Sequence, residues 1–154
     1  MDIKKILVPC DFSSYAEHAL TWAVRLAQQA NAETLLIYAV PIFANLSYTE
    51  VPILVDIPKV EAELVAEGEK QLRKFLTEHN TGNVRVVPRA MLGDPFSVIC
   101  RVAEEEHVDL IVLGSHGRTG LSHVFLGSVA ERVVRHAPCP VLVARLPHKS
   151  TQGV

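Results

Sequence analysis

Short, nearly unbroken apolar runs alternate along this chain with longer stretches in which apolar residues recur every three or four positions. The runs at residues 5–10, 34–40, 84–91, 109–113 and 140–145 read as strands, and the periodic stretches between them as helices. The first helix opens at Ser13/Ser14, where Ser14-x-x-Glu17 has the form of a capping box. Its inner face is marked by Ala16, Ala19, Leu20, Ala23, Leu26 and Ala27. A long second helix covers 60–78, with Val60, Leu64, Leu72, Phe75 and Leu76 turned inward. Gly93-Asp94-Pro95 starts a third, with Asp94 suited to the N-cap and Pro95 to the first helical position. A fourth covers 129–136. Strands apolar on both faces, alternating with helices, imply a parallel sheet covered on both sides. The pattern predicts one doubly wound α/β domain over residues 1–146, with 147–154 as a flexible tail.

Two prolines place the sheet edges. Proline has no N–H for a ladder, so Pro88 makes the third strand an edge. Pro140 opens the fifth strand, whose Val141, Leu142 and Val143 form an apolar edge. An uncovered edge of that kind is a pairing surface, so a homodimer joined through 140–145 is expected. Segment 41–58 is long for a loop in a compact domain, and the residues leave a plain surface crossing and a lid or partner surface equally open.

Composition narrows the class further. The 154 residues carry 15 basic and 17 acidic side chains, a net charge of -2, which lacks the basic excess of a nucleic-acid binder. Cys10, Cys100 and Cys139 are odd in number, far apart and without C-x-x-C spacing, so a disulfide framework is not expected and a reducing compartment is. The opening residues lead straight into the first strand with no signal-peptide pattern, and no run has membrane-spanning length. The expected location is the cytoplasm.

The chemistry concentrates after the fourth strand, in Gly114-Ser115-His116-Gly117-Arg118-Thr119-Gly120, followed by Gly127-Ser128. Glycines let a backbone approach a ligand closely and accept positive φ at little cost. The helix start beyond them offers unpaired N–H groups and a positive dipole end, which suit phosphate. Neither a P-loop nor a G-x-G-x-x-G fingerprint is present. Ser128-x-x-Glu131 again has capping-box form, which is compatible with anion binding beside it. Arg132, Arg135 and His136 suit the C-terminal half of that helix through its dipole. His116 and His123 lack carboxylate or cysteine companions at metal spacing, so no metal site is expected from the protein alone. His116 and Arg118 have the chemistry to meet phosphate or sugar oxygens. Across the strand ends lies Pro9-Cys10-Asp11. Ligands of open α/β sheets bind where the strand order reverses. Asp11 there suits a ribose hydroxyl or a Mg²⁺ contact, and equally a cap on the first helix.

Gly114-x2-Gly117-x9-Gly127-Ser128 resembles the ATP-binding signature of the universal stress proteins. Lys4-Lys5-Ile6-Leu7-Val8-Pro9-x-Asp11-x-Ser13, Gly93-Asp94-Pro95 and Ala137-Pro138-Cys139-Pro140-Val141-Leu142-Val143 resemble other runs of that family, so the likeness covers residues 3–146. The resemblance implies a five-stranded sheet of order 3-2-1-4-5, a dimer through the last strand, and ATP with Mg²⁺ in the crevice. By position it puts Pro9 and Asp11 at the ribose and the Val40 backbone at adenine. It wraps Gly114, Ser115, His116, Gly117, Arg118, Thr119 and Gly120 around ribose and phosphates. Gly127, Ser128, Val129 and Ala130 then meet phosphate from the helix start. Three residues depart from the family pattern: Cys10, Ala130, which lacks a hydroxyl found in some ATP-binding members, and the charged Arg145.

Three functions follow from this reading. The first is an ATP-binding regulatory protein of the stress response. The second is a slow Mg²⁺-dependent ATPase or self-phosphorylating enzyme using Asp11 and His116, since phosphoryl transfer mainly needs positioning and charge stabilisation. The third is a nucleotide-free dimerisation module, against which the intact glycine signature argues.

Overall fold

The computed structural model describes residues 2–42, 56–117 and 126–146. In chain order the elements are β1 (Lys5–Pro9), α1 (Ser14–Ala30), β2 (Glu33–Val40), α2 (Ile57–Thr77), β3 (Val86–Leu92), α3 (Pro95–Glu105), β4 (Leu110–Gly114), α4 (Ser128–His136) and β5 (Val141–Ala144). All sheet pairs are parallel and the strand order is β3-β2-β1-β4-β5, as expected. Pro88 lies in an edge strand, paired only to β2 opposite Leu36. Among the described residues no helix is long and apolar enough to cross a membrane.

Alternate residues of each strand feed opposite cores. Ile6, Val8, Leu36, Val40 and Val112 pack with Leu20, Val24, Leu72 and Phe75 beneath α1 and α2. Leu7, Leu35, Ile37, Ile111 and Leu113 pack with Val98, Ile99, Val102 and Val133 beneath α3 and α4. This two-sided burial is why the strands read as continuous apolar runs.

Helix starts show where local sequence is decisive. Asp94 caps α3, its carboxylate accepting from the Ser97 N–H at 3.0 Å, with Pro95 in the first turn. α2 begins three residues before the periodicity suggests, because Asp56 caps it through the Lys59 N–H. Neither expected capping box forms, because each N-cap lies one residue earlier than the serine expected to fill it. Ser13, not Ser14, caps α1 and accepts from the Ala16 N–H. Gly127 occupies the N-cap of α4, so Ser128 is already helical and, among the described residues, no side chain caps that helix. The cap falls where the chain leaves extended geometry, and a capping-box pattern leaves that position uncertain by a residue.

At the opposite end of the sheet Glu106 joins three elements. Its carboxylate accepts from Arg89 of β3 at 2.7 Å and from Lys5 of β1 at 2.9 Å. The Arg89 bond, then the Lys5 bond, holds its pKa at about 2. A depressed carboxylate pKa stabilises the fold in full above the unfolded value of about 4.3, and that stability is lost as pH falls through about 2. The carboxylate is 29% exposed, which screens the interaction. Glu106→Gln is therefore expected to cost about 1–2 kcal/mol at pH 7. The penalty should shrink to nearly nothing by pH 2 in urea titrations across that range.

Candidate functional site

The site begins with a missing hydrogen-bond donor. The Asp109 N–H bonds the Lys5 carbonyl, so odd-numbered β1 residues turn their backbone toward β4. Pro9 shares that parity and offers β4 no N–H. The β1–β4 ladder accordingly pairs Ile6 with Leu110 and Leu7 with Ile111, whereas β1 stays paired with β2 as far as Pro9. The strand order reverses between β1 and β4, and a cavity of about 300 Å³ opens beyond their carboxyl ends. This is where open α/β sheets bind ligands.

One wall comes from the turn after β1. The Asp11 carboxylate accepts from the Ser13 hydroxyl at 2.6 Å and from the Ser13 N–H at 3.0 Å. The same hydroxyl caps α1. Asp11 thus supports the helix cap through Oδ1 and also lines the cavity.

The facing wall is the glycine segment. The Gly127 N–H donates to the Ser115 carbonyl at 2.7 Å and the Ser115 N–H to the Ala144 carbonyl at 3.1 Å, which fastens the end of β4 to the start of α4. Ser115 is buried, and its hydroxyl lies 3.0 Å from His116 Nδ1. The His116 ring leans on Tyr15, with centroids 5.2 Å apart. None of Gly114, Gly117 and Gly127 has positive φ; among the described glycines only Gly82 and Gly93 do. The loop glycines serve close approach instead. A Cβ on Gly114 would sit 2.7–2.9 Å from Tyr15 Cβ and backbone, so this glycine lets α1 lie on β4. A Cβ on Gly117 would sit 2.8 Å from Asp11 Oδ2, so the two walls touch there.

Gly127, Ser128, Val129 and Ala130 close the cavity with the start of α4. α1, α2 and α3 each have a side-chain cap, and among the described residues α4 has none. The first N–H groups of a helix have no partner within it. Arg132 fixes this helix against α3, stacking 4.1 Å over the Phe96 ring and reaching Asp94 at 3.8 Å. Arg135 pairs with Glu131 at 2.8 Å. Arg132 thus serves helix packing, whereas the Arg135 pair lies within α4 itself.

Pro9, Asp11, Gly114, His116, Gly117, Gly127, Ser128, Val129 and Ala130 all line the cavity. Val40 is buried at the end of β2, its carbonyl accepting from the Gly93 N–H, and β2 lines the cavity through Ile37, Tyr38 and Ala39. Arg118, Thr119, Gly120 and His123 lie outside the described residues. Sequence reasoning missed Tyr38, Pro95 and Ile99, which line the cavity from β2 and α3; Pro95 carries a signal in Asp94-Pro95, because the cap that starts α3 also sets it there. Cys10 is a buried lining residue, while burial pushes the Cys100 and Cys139 thiols above their ordinary range. Among the described residues no three His, Cys, Asp or Glu side chains group as a metal site.

The glycines separate by mutation. Gly114→Ala is expected to cost about 1–3 kcal/mol, because it drives into backbone. Gly117→Ala meets only the end of a carboxylate and should cost under about 0.5 kcal/mol. Urea midpoints of the two variants check the order.

The family model described as the universal stress protein family matches residues 2–145. A universal stress protein of Methanocaldococcus jannaschii is 35% identical over 95% of this chain and 84% of its own length. The structure of the universal stress protein UspA from Lactobacillus plantarum is 32% identical, covers 94% of this chain and 99% of its own, and superposes with a TM-score of 0.71. A universal stress protein family structure from Arabidopsis thaliana with AMP bound shares the fold at 21% identity and a TM-score of 0.61, covering 94% of this chain and 93% of its own. On the evidence of matched sequence and shared strand order together, the chain belongs to the universal stress protein family.

Proposed function

We propose that this protein binds an adenine nucleotide, ATP with Mg²⁺, in the crevice between β1 and β4. In this reading it acts as a nucleotide-regulated homodimer in the stress response. The observation that carries the reading is the start of α4, which no described side chain caps, at the cavity that Asp11 also lines. Unpaired N–H groups at a helix N-terminus favour phosphate. A carboxylate across the crevice suits ribose hydroxyls, and the apolar wall of Ile37, Ala39 and Ile99 suits a flat base. A volume of about 300 Å³ is at the lower end for small-molecule sites. Arg118 and Thr119 follow Gly117 in the sequence and carry donors suited to phosphate oxygens. Mg²⁺ habitually takes substrate phosphates and one or two carboxylates, so Asp11 would supply the protein's share. The AMP in the Arabidopsis protein agrees in ligand class.

The homodimer rests on β5. It is an edge strand of four residues, paired on one side to β4, with Val141, Leu142 and Val143 only partly buried. A second copy pairing there would cover that edge.

Titration of dialysed, nucleotide-free protein by calorimetry should give ATP binding with Kd on the order of micromolar, about -8 kcal/mol. GTP should bind at least about tenfold more weakly, and AMP and cAMP in parallel rank the phosphate requirement. Gly117→Val should abolish binding with the circular dichroism spectrum unchanged. Absence of ATP binding in the wild type would end the nucleotide reading. Sedimentation at micromolar concentration should show a dimer, and Val143→Lys should make it a monomer; a wild-type monomer would end the dimer reading.

A further inference from the structure

Between Asp11 and the cap Ser13 stands Phe12, with φ of +66°. A bulky residue in that left-handed region is a genuine outlier, and it persists only where its surroundings over-determine it. The surroundings are aromatic. The Phe12 ring meets Tyr38 of β2 edge-on at 4.7 Å and Phe75 of α2 at 5.8 Å. Phe75 is buried and lies outside the cavity lining. Glycine would satisfy this backbone without strain, so a phenylalanine here makes the turn depend on where its ring is seated.

The turn has a directional consequence. With Phe12 left-handed, the chain doubles back so that Ser13 N–H and hydroxyl both reach Asp11 Oδ1. That leaves Oδ2 on the side of Gly117, 2.8 Å from where its Cβ would be. We infer that Phe12 is a positioning residue for the nucleotide site: the seating of its ring between Tyr38 and Phe75 fixes the turn that aims the Asp11 carboxylate across the crevice. The inference rests on the nucleotide reading above and deepens it. It also makes α2, through Phe75, part of the support of the site.

The test is a double-mutant cycle on ATP affinity in the presence of Mg²⁺. Phe12→Asn keeps a residue tolerant of positive φ but removes the ring. It should weaken ATP binding about tenfold in the wild-type background and leave affinity unchanged in an Asp11→Ala background. Phe12→Tyr should restore wild-type affinity. Phe75→Leu loosens the seat from outside the cavity and should weaken binding about threefold, again only when Asp11 is present. This arm decides the matter if Phe12→Asn does not fold. Equal losses in both backgrounds would mean that Phe12 acts through Tyr38 or general stability, and would overturn the inference. Undiminished affinity in Phe12→Asn and Phe75→Leu would overturn it too, while the nucleotide reading stood. A wild type that binds no ATP removes both at once.

Discussion

Everything at the site depends on the parting of two neighbouring strands. β1 and β4 run side by side for two paired residues and then separate, because Pro9 has no N–H to offer on the side that faces β4. The sheet keeps its other pairings, so the opening is local. One wall is the turn from β1 into α1, and the other is the turn from β4 toward α4. A cavity at a reversal of strand order gains both helix starts without disturbing either core.

Close packing then decides what fits the walls. α1 lies so near β4 that Gly114 is the residue the contact allows, and this glycine belongs to the scaffold. Gly117 belongs to the cavity, since what it avoids is the Asp11 carboxylate. The glycine signature is therefore a composite, part helix–strand packing and part clearance for the Asp11 carboxylate across the cavity. Asp11 has the same double character: one oxygen supports the hydroxyl that caps α1 while the residue lines the crevice.

The architecture was legible because hydrophobic burial on both faces writes itself into the strands, and because Pro88 and Asp94-Pro95 have narrow backbone tolerances. The positions of Asp11, Gly117 and Gly127 around the crevice were legible from motif spacing. What local sequence missed was set by distant packing or by single dihedral angles. Nothing near Phe12 announces a left-handed residue, because its seat is built by Tyr38 and Phe75, 26 and 63 residues later. The displaced caps at Ser13 and Gly127 differ from the expected serines by the conformation of one residue. The close approach that Gly114 serves is to Tyr15, a contact that exists only when α1 is laid on the sheet.

The bond from the Gly127 N–H to the Ser115 carbonyl has an evolutionary corollary. It joins the end of β4 to the start of α4 backbone to backbone, although eleven residues, 116–126, separate Ser115 from Gly127 in the sequence. Loop-closure cost rises only slowly with length. Substituted or added residues between the two bonded positions therefore leave that bond, and with it the seat of α4 on β4, in place.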